Sequence, residues 1–176
     1  DLDAAVEGAL IAKMRNAGEA CTSANRFYVA AAVVEEFGRR LAERMGSLRV
    51  GKGTNPDTQL GPLINQAGLA KVEELVLDMV TRGGRVLVGG KRIEGPGFFY
   101  PPTVVTQVSP DSRVMGAEIF GPVVPIGSFG PGKEALPPAK ATELGPGPFV
   151  STRDPPPAPR ASGGPRTGQG GPHPRA

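Results

Sequence analysis

Cys21 is the one cysteine among 176 residues, and it closes the run Arg15-Asn16-Ala17-Gly18-Glu19-Ala20-Cys21. A lone thiol forms no intramolecular disulfide and builds no cysteine-rich metal site. Three readings remain: a small buried filler, an inert surface thiol, or a nucleophile. A nucleophilic thiol needs a favoured thiolate and an open approach. Gly18 permits a tight backbone path and close substrate approach beside it. Arg15 is a permanent cation that can lower a thiol pKa or hold an anionic substrate. It can equally cap the end of a preceding helix. These features permit catalysis without requiring it.

The surrounding elements decide whether that thiol is presented. Val6, Leu10 and Met14 recur at spacing four and predict a helix over residues 1–14. Asp1 or Asp3 can cap its start, and Lys13 with Arg15 suits the C-terminal end of its dipole. Gly18 breaks the pattern, so Cys21 falls on a turn. Phe27-Tyr28-Val29-Ala30 reads as a strand, and Val33, Val34, Phe37, Leu41 and Met45 follow helical spacing. Val50 to Asp57 is dense in turn formers. A further helix is predicted from Gln66 to Thr81, with Val72, Leu75, Val76 and Met79 facing inward, stopped by Gly83-Gly84. Arg85 to Val88, Thr103 to Val108 and Pro122 to Phe129 read as strands. Helices alternating with short strands indicate an α/β domain with a mainly parallel sheet.

The chain is long enough for one domain with its own core. Its 39% hydrophobic and 21% charged residues are ordinary for a water-soluble protein. The net charge of +3 does not come with clustered Lys/Arg or interleaved aromatics, so no nucleic-acid partner is expected. No apolar run approaches the ~18 residues that span a bilayer, so no membrane partner is expected either. Asp1-Leu2-Asp3 is acidic where a signal peptide is basic. With an unpaired cysteine, this fits the cytoplasm. His173 is the only histidine and has no ligand partners nearby, so no metal site is expected.

Asn16-x-Gly18-Glu19-x-Cys21, followed by Ala24-Asn25-Arg26, resembles the active-site cysteine signature of the aldehyde dehydrogenase superfamily, which more often has Gln where Glu19 stands. Glu118-Ile119-Phe120-Gly121-Pro122-Val123 is similar to a second family segment. Gln59 to Ile64 and Phe98 to Val104 resemble two more, in family order over residues 1–129. Lys13-Met14-Arg15-Asn16 is most similar to the succinate-semialdehyde branch. The resemblance implies a small aldehyde substrate, NAD or NADP as cofactor, and a homo-oligomeric parent enzyme. It implies that Cys21 is the nucleophile, passing through a thiohemiacetal and a thioester. It implies that Arg15 grips a substrate carboxylate, which a guanidinium does bidentately. By the same resemblance Glu118 bonds the nicotinamide-side ribose and Phe120 packs near the nicotinamide ring. An edge-strand surface charge and a plain core aromatic are the alternatives for those two. Lys71 is placed near the adenosine ribose, or is simply a solvated helix lysine. Ser23 stands where some enzymes of the branch carry a second cysteine, so no redox switch is expected.

The resemblance also implies a general-base glutamate, an oxyanion amide and a nucleotide-binding domain upstream of residue 1. Residues 1–129 therefore read as a catalytic-domain fragment, inactive by itself. Residues 130–154 read as a degraded continuation of the same domain, after which the motifs fade. Residues 155–176, crowded with proline, glycine and arginine, read as a disordered or out-of-frame tail. The competing reading is a non-catalytic remnant or interaction module in which Cys21 is vestigial.

Overall fold

The computed structural model describes residues 1–130, together with the backbone of two short strands near the C-terminus. Helix α1 spans Leu2–Met14. Asp1 caps it, its Oδ1 accepting from the N–H groups of Asp3 and Ala4 at 3.1 and 3.2 Å. Strand β1 is Phe27–Ala30 and helix α2 is Val34–Gly46, with Val33 at its N-cap. Helix α3 runs Gln66–Thr81 behind an Asn65 cap whose side chain accepts from Gly68 N–H at 2.8 Å. Strands β2 (Arg85–Val88), β3 (Thr103–Thr106) and β4 (Val123–Phe129) follow. β3 stops short of Val108 because Gln107 turns to φ 56, outside the extended region.

The sheet order is β1-β4-β3-β2. β4 pairs in parallel with both β1 and β3, while β2 is an antiparallel edge with a register shift between Val86 and Val88. The expected mainly parallel sheet is thus present, with one reversed edge. Its period-two side chains feed two cores. Val105 and Val123 pack with Leu69, Val72, Leu75, Val76 and Met79 of α3. Val104, Val124 and Ile126 pack with Val6 and Ala9 of α1 and Phe37, Leu41 and Met45 of α2. Each such fully buried aliphatic contributes about 1.5–3 kcal/mol. Helices therefore cover both faces of the sheet, and α1 is held against α2 on its wet side by Arg40–Asp3 and Arg44–Glu7 ion pairs at 2.6 Å.

The buried stripe of α1 is Val6, Ala9 and Lys13, with Leu10 and Met14 only half-buried. The expected Val6–Leu10–Met14 face does pack against the core, while burial is deepest about one residue round the helix, which carries a lysine inward. The expected continuation after Phe129 and the expected tail lie outside the described residues. The exception is the parallel pairing of Phe149–Val150 (β5) with Gly171–Pro172 (β6).

Candidate active site

Arg15 leaves α1 with φ −55 and ψ 123, and Asn16, Ala17 and Gly18 follow at φ 48, 58 and 77. Three successive left-handed residues, two of them carrying a Cβ, make a strained reversal. Local bonds hold it. Asn16 Nδ2 donates to the Glu19 carbonyl at 2.9 Å, and Glu19 N–H donates back to the Asn16 carbonyl at 2.8 Å. Buried Ser23 donates its hydroxyl to the Arg15 carbonyl at 3.4 Å, and Ala24 N–H donates to the Ala12 carbonyl at 2.9 Å. The loop is thereby stitched to the end of α1, and Cys21 stands exposed at its crest. Arg15 is also exposed, and among the described residues its guanidinium has no hydrogen-bond or ion-pair partner.

The segment Glu118–Pro122 forms the opposite wall, and the loop after Cys21 fixes it. Asn25 Nδ2 donates to the Ala117 carbonyl at 2.7 Å while its Oδ1 accepts from Ile119 N–H at 2.8 Å. One amide side chain thus brackets Glu118 from both sides. The Arg26 guanidinium donates to the Met115 carbonyl just upstream. Gly18 closes the contact: a Cβ there would lie 2.3 Å from the Gly121 carbonyl oxygen. Gly121 is wedged in turn against α3, where a Cβ would lie 2.7 Å from Val72 Cγ2. Only glycine lets loop, segment and helix meet this closely.

Ile119 is buried, so Glu118 and Phe120 on either side of it face out. Phe120 is held at φ 53, a costly conformation for an aromatic residue and one that survives where surrounding structure imposes it. An outward carboxylate and an outward ring, two residues apart on pinned backbone, fit a sugar diol and a planar base. The surface-charge and core alternatives for the pair now differ in standing: Phe120 is no core residue, at 36% exposed.

Two acid–base groups near the turn are perturbed. Ile64 N–H donates to Glu19 Oε1 at 3.1 Å, yet partial burial outweighs this bond and raises the Glu19 pKa. Lys13 is 1% exposed, and its Cε lies 3.1 Å from where a Gly18 Cβ would stand. Burial lowers the Lys13 pKa to about 7 against the opposing pull of the Glu118 charge. The sequence placed Lys13 at the helix dipole and in the run Lys13-Met14-Arg15-Asn16, and Asn25 in the cysteine signature, without a contact for either. The spacing Val6–Ala9–Lys13 was the signal for the first. The signature run Ala24-Asn25-Arg26 marks the second, but not its partners, which lie more than ninety residues away. Lys71 is exposed on α3, and His173 lies outside the described residues.

The family model described as "Aldehyde dehydrogenase family" matches residues 1–170, past the Asp154 at which the recognisable motifs fade. A succinate-semialdehyde dehydrogenase of Paenarthrobacter nicotinovorans is 47% identical over 154 residues, covering 88% of this chain and 34% of that protein. A probable NADP(+) succinate-semialdehyde dehydrogenase of Sinorhizobium fredii is 49% identical over 129 residues, covering 73% and 26%. The crystal structure of succinate-semialdehyde dehydrogenase from Burkholderia pseudomallei superposes with a TM-score of 0.93 at 40% identity, covering 98% of this chain and 36% of that one. The chain spans about a third of the length of these relatives. With the motif residues assembled around one loop and the family match running nearly end to end, the chain belongs to the aldehyde dehydrogenase family.

Proposed function

We propose that this chain is the nucleophile-bearing part of an NAD(P)-dependent dehydrogenase that oxidises succinate semialdehyde to the carboxylic acid. The observation that carries this reading is the seating of exposed Cys21 on a turn pressed through Gly18 onto the segment bearing outward Glu118 and Phe120. Cys21 Sγ, as thiolate, forms a bond to the aldehyde carbonyl carbon. The acyl group remains on sulfur as a thioester until water hydrolyses it, which a thioester permits far more readily than an amide does. The Cys21 N–H contributes to stabilising the oxyanion. Glu118 accepts the ribose hydroxyls of the cofactor and Phe120 packs near its ring. A bound nicotinamide supplies the hydride acceptor. Relatives named as NADP(+) enzymes support that cofactor class without separating NADP from NAD here.

Arg15 sets the substrate. Its exposed guanidinium, unpaired among the described residues, suits the distal carboxylate of succinate semialdehyde better than it suits helix capping, because the backbone has already left the helix there. The parent enzyme is a cytoplasmic homo-oligomer in this reading. Among the described residues no helix is long and apolar enough to cross a membrane. The 176-residue chain by itself performs no turnover, since it spans only a third of its relatives.

Steady-state kinetics of the full-length protein test this. Cys21→Ala should abolish NAD(P)H formation. Arg15→Leu should raise KM for succinate semialdehyde about tenfold while leaving an uncharged aldehyde of similar size unaffected, the loss expected for one charge-assisted pair. Equal loss on both aldehydes removes Arg15 from the substrate site. Full activity in Cys21→Ala removes the mechanism. NAD(P)H formation by the 176-residue chain alone would overturn its assigned inactivity.

A further inference from the structure

Glu19 is the charged side chain of the nucleophile turn that the reaction just described does not use. Its backbone closes the turn on itself, through the two Asn16 bonds at 2.8 and 2.9 Å. Its side chain reaches elsewhere: Oε1 accepts from Ile64 N–H at 3.1 Å, across 45 residues of chain. Among the described residues, the other hydrogen bonds made between Asn16 and Ala24 stay within the turn or return to Ala12 and Arg15. The Glu19–Ile64 bond alone ties the turn to a distant part of the chain. Its far end is fixed independently. Leu63 N–H donates to the Phe98 carbonyl at 2.9 Å, and the Leu63 side chain is buried in the core that α3 covers. Asn65 caps α3 by accepting from Gly68 N–H at 2.8 Å. Ile64 stands between these two anchors with its side chain 77% exposed, so what it offers the turn is its backbone N–H. Asn16 and Ala17 hold left-handed angles that a free chain would relax. Bonds internal to a turn preserve its shape; a bond to an outside anchor fixes where its crest points.

We propose that Glu19 is a positioning residue: by the reach of its side-chain oxygen, rather than by its charge, it ties the nucleophile turn to the anchored Ile64 backbone and holds Cys21 presented to the aldehyde. This rests on Cys21 being the nucleophile, as proposed above. The bond needs an acceptor at the end of a two-methylene stem. Glutamine supplies that acceptor without the charge; aspartate supplies the charge but stops one methylene short. Reach and charge therefore order the variants oppositely. A near-attack geometry tolerates little displacement of the attacking atom, so a tether two residues from the thiol bears on rate even though it touches no reacting group.

Two measurements on the full-length protein test this, and they fail separately. The first is the iodoacetamide alkylation rate of Cys21, read on its peptide by mass spectrometry, in wild type, Glu19→Gln, Glu19→Asp and Glu19→Ala. It is followed with pH to the plateau at which the thiol is ionised in every variant, so that it reads presentation of the sulfur and not the charge beside it. Glu19→Gln should match wild type, and Glu19→Asp and Glu19→Ala should both fall about fivefold. Equal plateaus in all four, or a raised plateau in Glu19→Ala, remove the tether. A plateau kept by Glu19→Asp and lost in Glu19→Gln shows charge at work and overturns the proposal. Should Glu19→Ala fail to fold, the Gln and Asp pair decides by itself. The second is the single-turnover rate of NADPH formation from succinate semialdehyde. It should follow the same order, with KM unchanged, because the Arg15 carbonyl is held by Ser23 and not by Glu19. A raised KM with the turnover rate intact overturns the positioning of Cys21. So does a lowered plateau with unaltered turnover. Activity retained in Cys21→Ala overturns the proposal too, through the nucleophile reading on which it rests, while the alkylation order still judges the tether.

Discussion

Glu19 is half-withdrawn from water, and one of its oxygens accepts the Ile64 N–H at 3.1 Å. The bond needs only an oxygen, whereas the burial penalises the charge. Since its folded-state pKa is raised, the folded protein binds the extra proton more readily than the unfolded chain between the ordinary carboxylate pKa and the raised one. The Glu19 contribution is therefore favourable at low pH and lost as pH climbs through that window. Glutamine keeps the carbonyl acceptor and has no charge to desolvate. Glu19→Gln should accordingly be more stable than wild type at neutral pH, and the two should converge in acid. Thermal melts at pH 4 and pH 7 check this; a variant less stable at pH 7 would show that the carboxylate makes a charged contact worth more than its burial costs. Cys21 sits two residues further along the same turn, so its alkylation rate should survive the change.

At the scale of elements, the site is a joint between α1, the Glu118–Pro122 segment and α3, and its tolerance is set by glycine. Gly18→Ala would combine a left-handed φ of 77 with a Cβ 2.3 Å from the backbone oxygen of Gly121. The conformational part costs about 1–2 kcal/mol, and relieving the clash requires the segment to move. The variant should lose several degrees of Tm and bind NADP+ weakly, since Glu118 and Phe120 move with Gly121. Asn25→Ala removes two bonds that no water-exposed group replaces, for about 2 kcal/mol. Asn25→Asp retains the acceptor for Ile119 N–H but sets a carboxylate oxygen against the Ala117 carbonyl, so it should not rescue. If Asn25→Asp matches wild type in Tm and affinity, the clamp runs through Ile119 alone. These joints also mark what the sequence could and could not tell. Local patterns reached α3 and β2 to the residue, because Gly83-Gly84 and Asn65 punctuate them and their apolar periodicity is clean. Cys21 on a turn and the Gly18 break were likewise legible. The Asn25 bracket was not, since its partners are set by the way β4 returns beside β1. The burial of Lys13 was missed because the four alanines of α1 (Ala4, Ala5, Ala9, Ala12) define its buried face weakly.

For the molecule as a whole, the buried lysine should write itself into the pH dependence of stability. In the unfolded chain Lys13 holds its proton to an ordinary lysine pKa of 10.5; in the folded chain burial lowers that to about 7. Between those values the unfolded state binds more protons, so this group makes stability rise with pH, by up to about 1.4 kcal/mol per unit at full effect. Below pH 7 the proton is present in both states and folding carries the full cost of a buried ammonium. The Glu118 charge offsets part of that cost. Lys13→Met deletes the titration and leaves a side chain of similar length in the same buried position. Melts of wild type and Lys13→Met from pH 6 to pH 9 should therefore converge as pH rises, with the variant the more stable at pH 6. A wild type that stays ahead at pH 6, or a gap that does not change with pH, would mean that Lys13 keeps its charge at no cost in the folded state. Its burial against Gly18 would then have to be relieved by a partner that the two-sided core does not provide among the described residues.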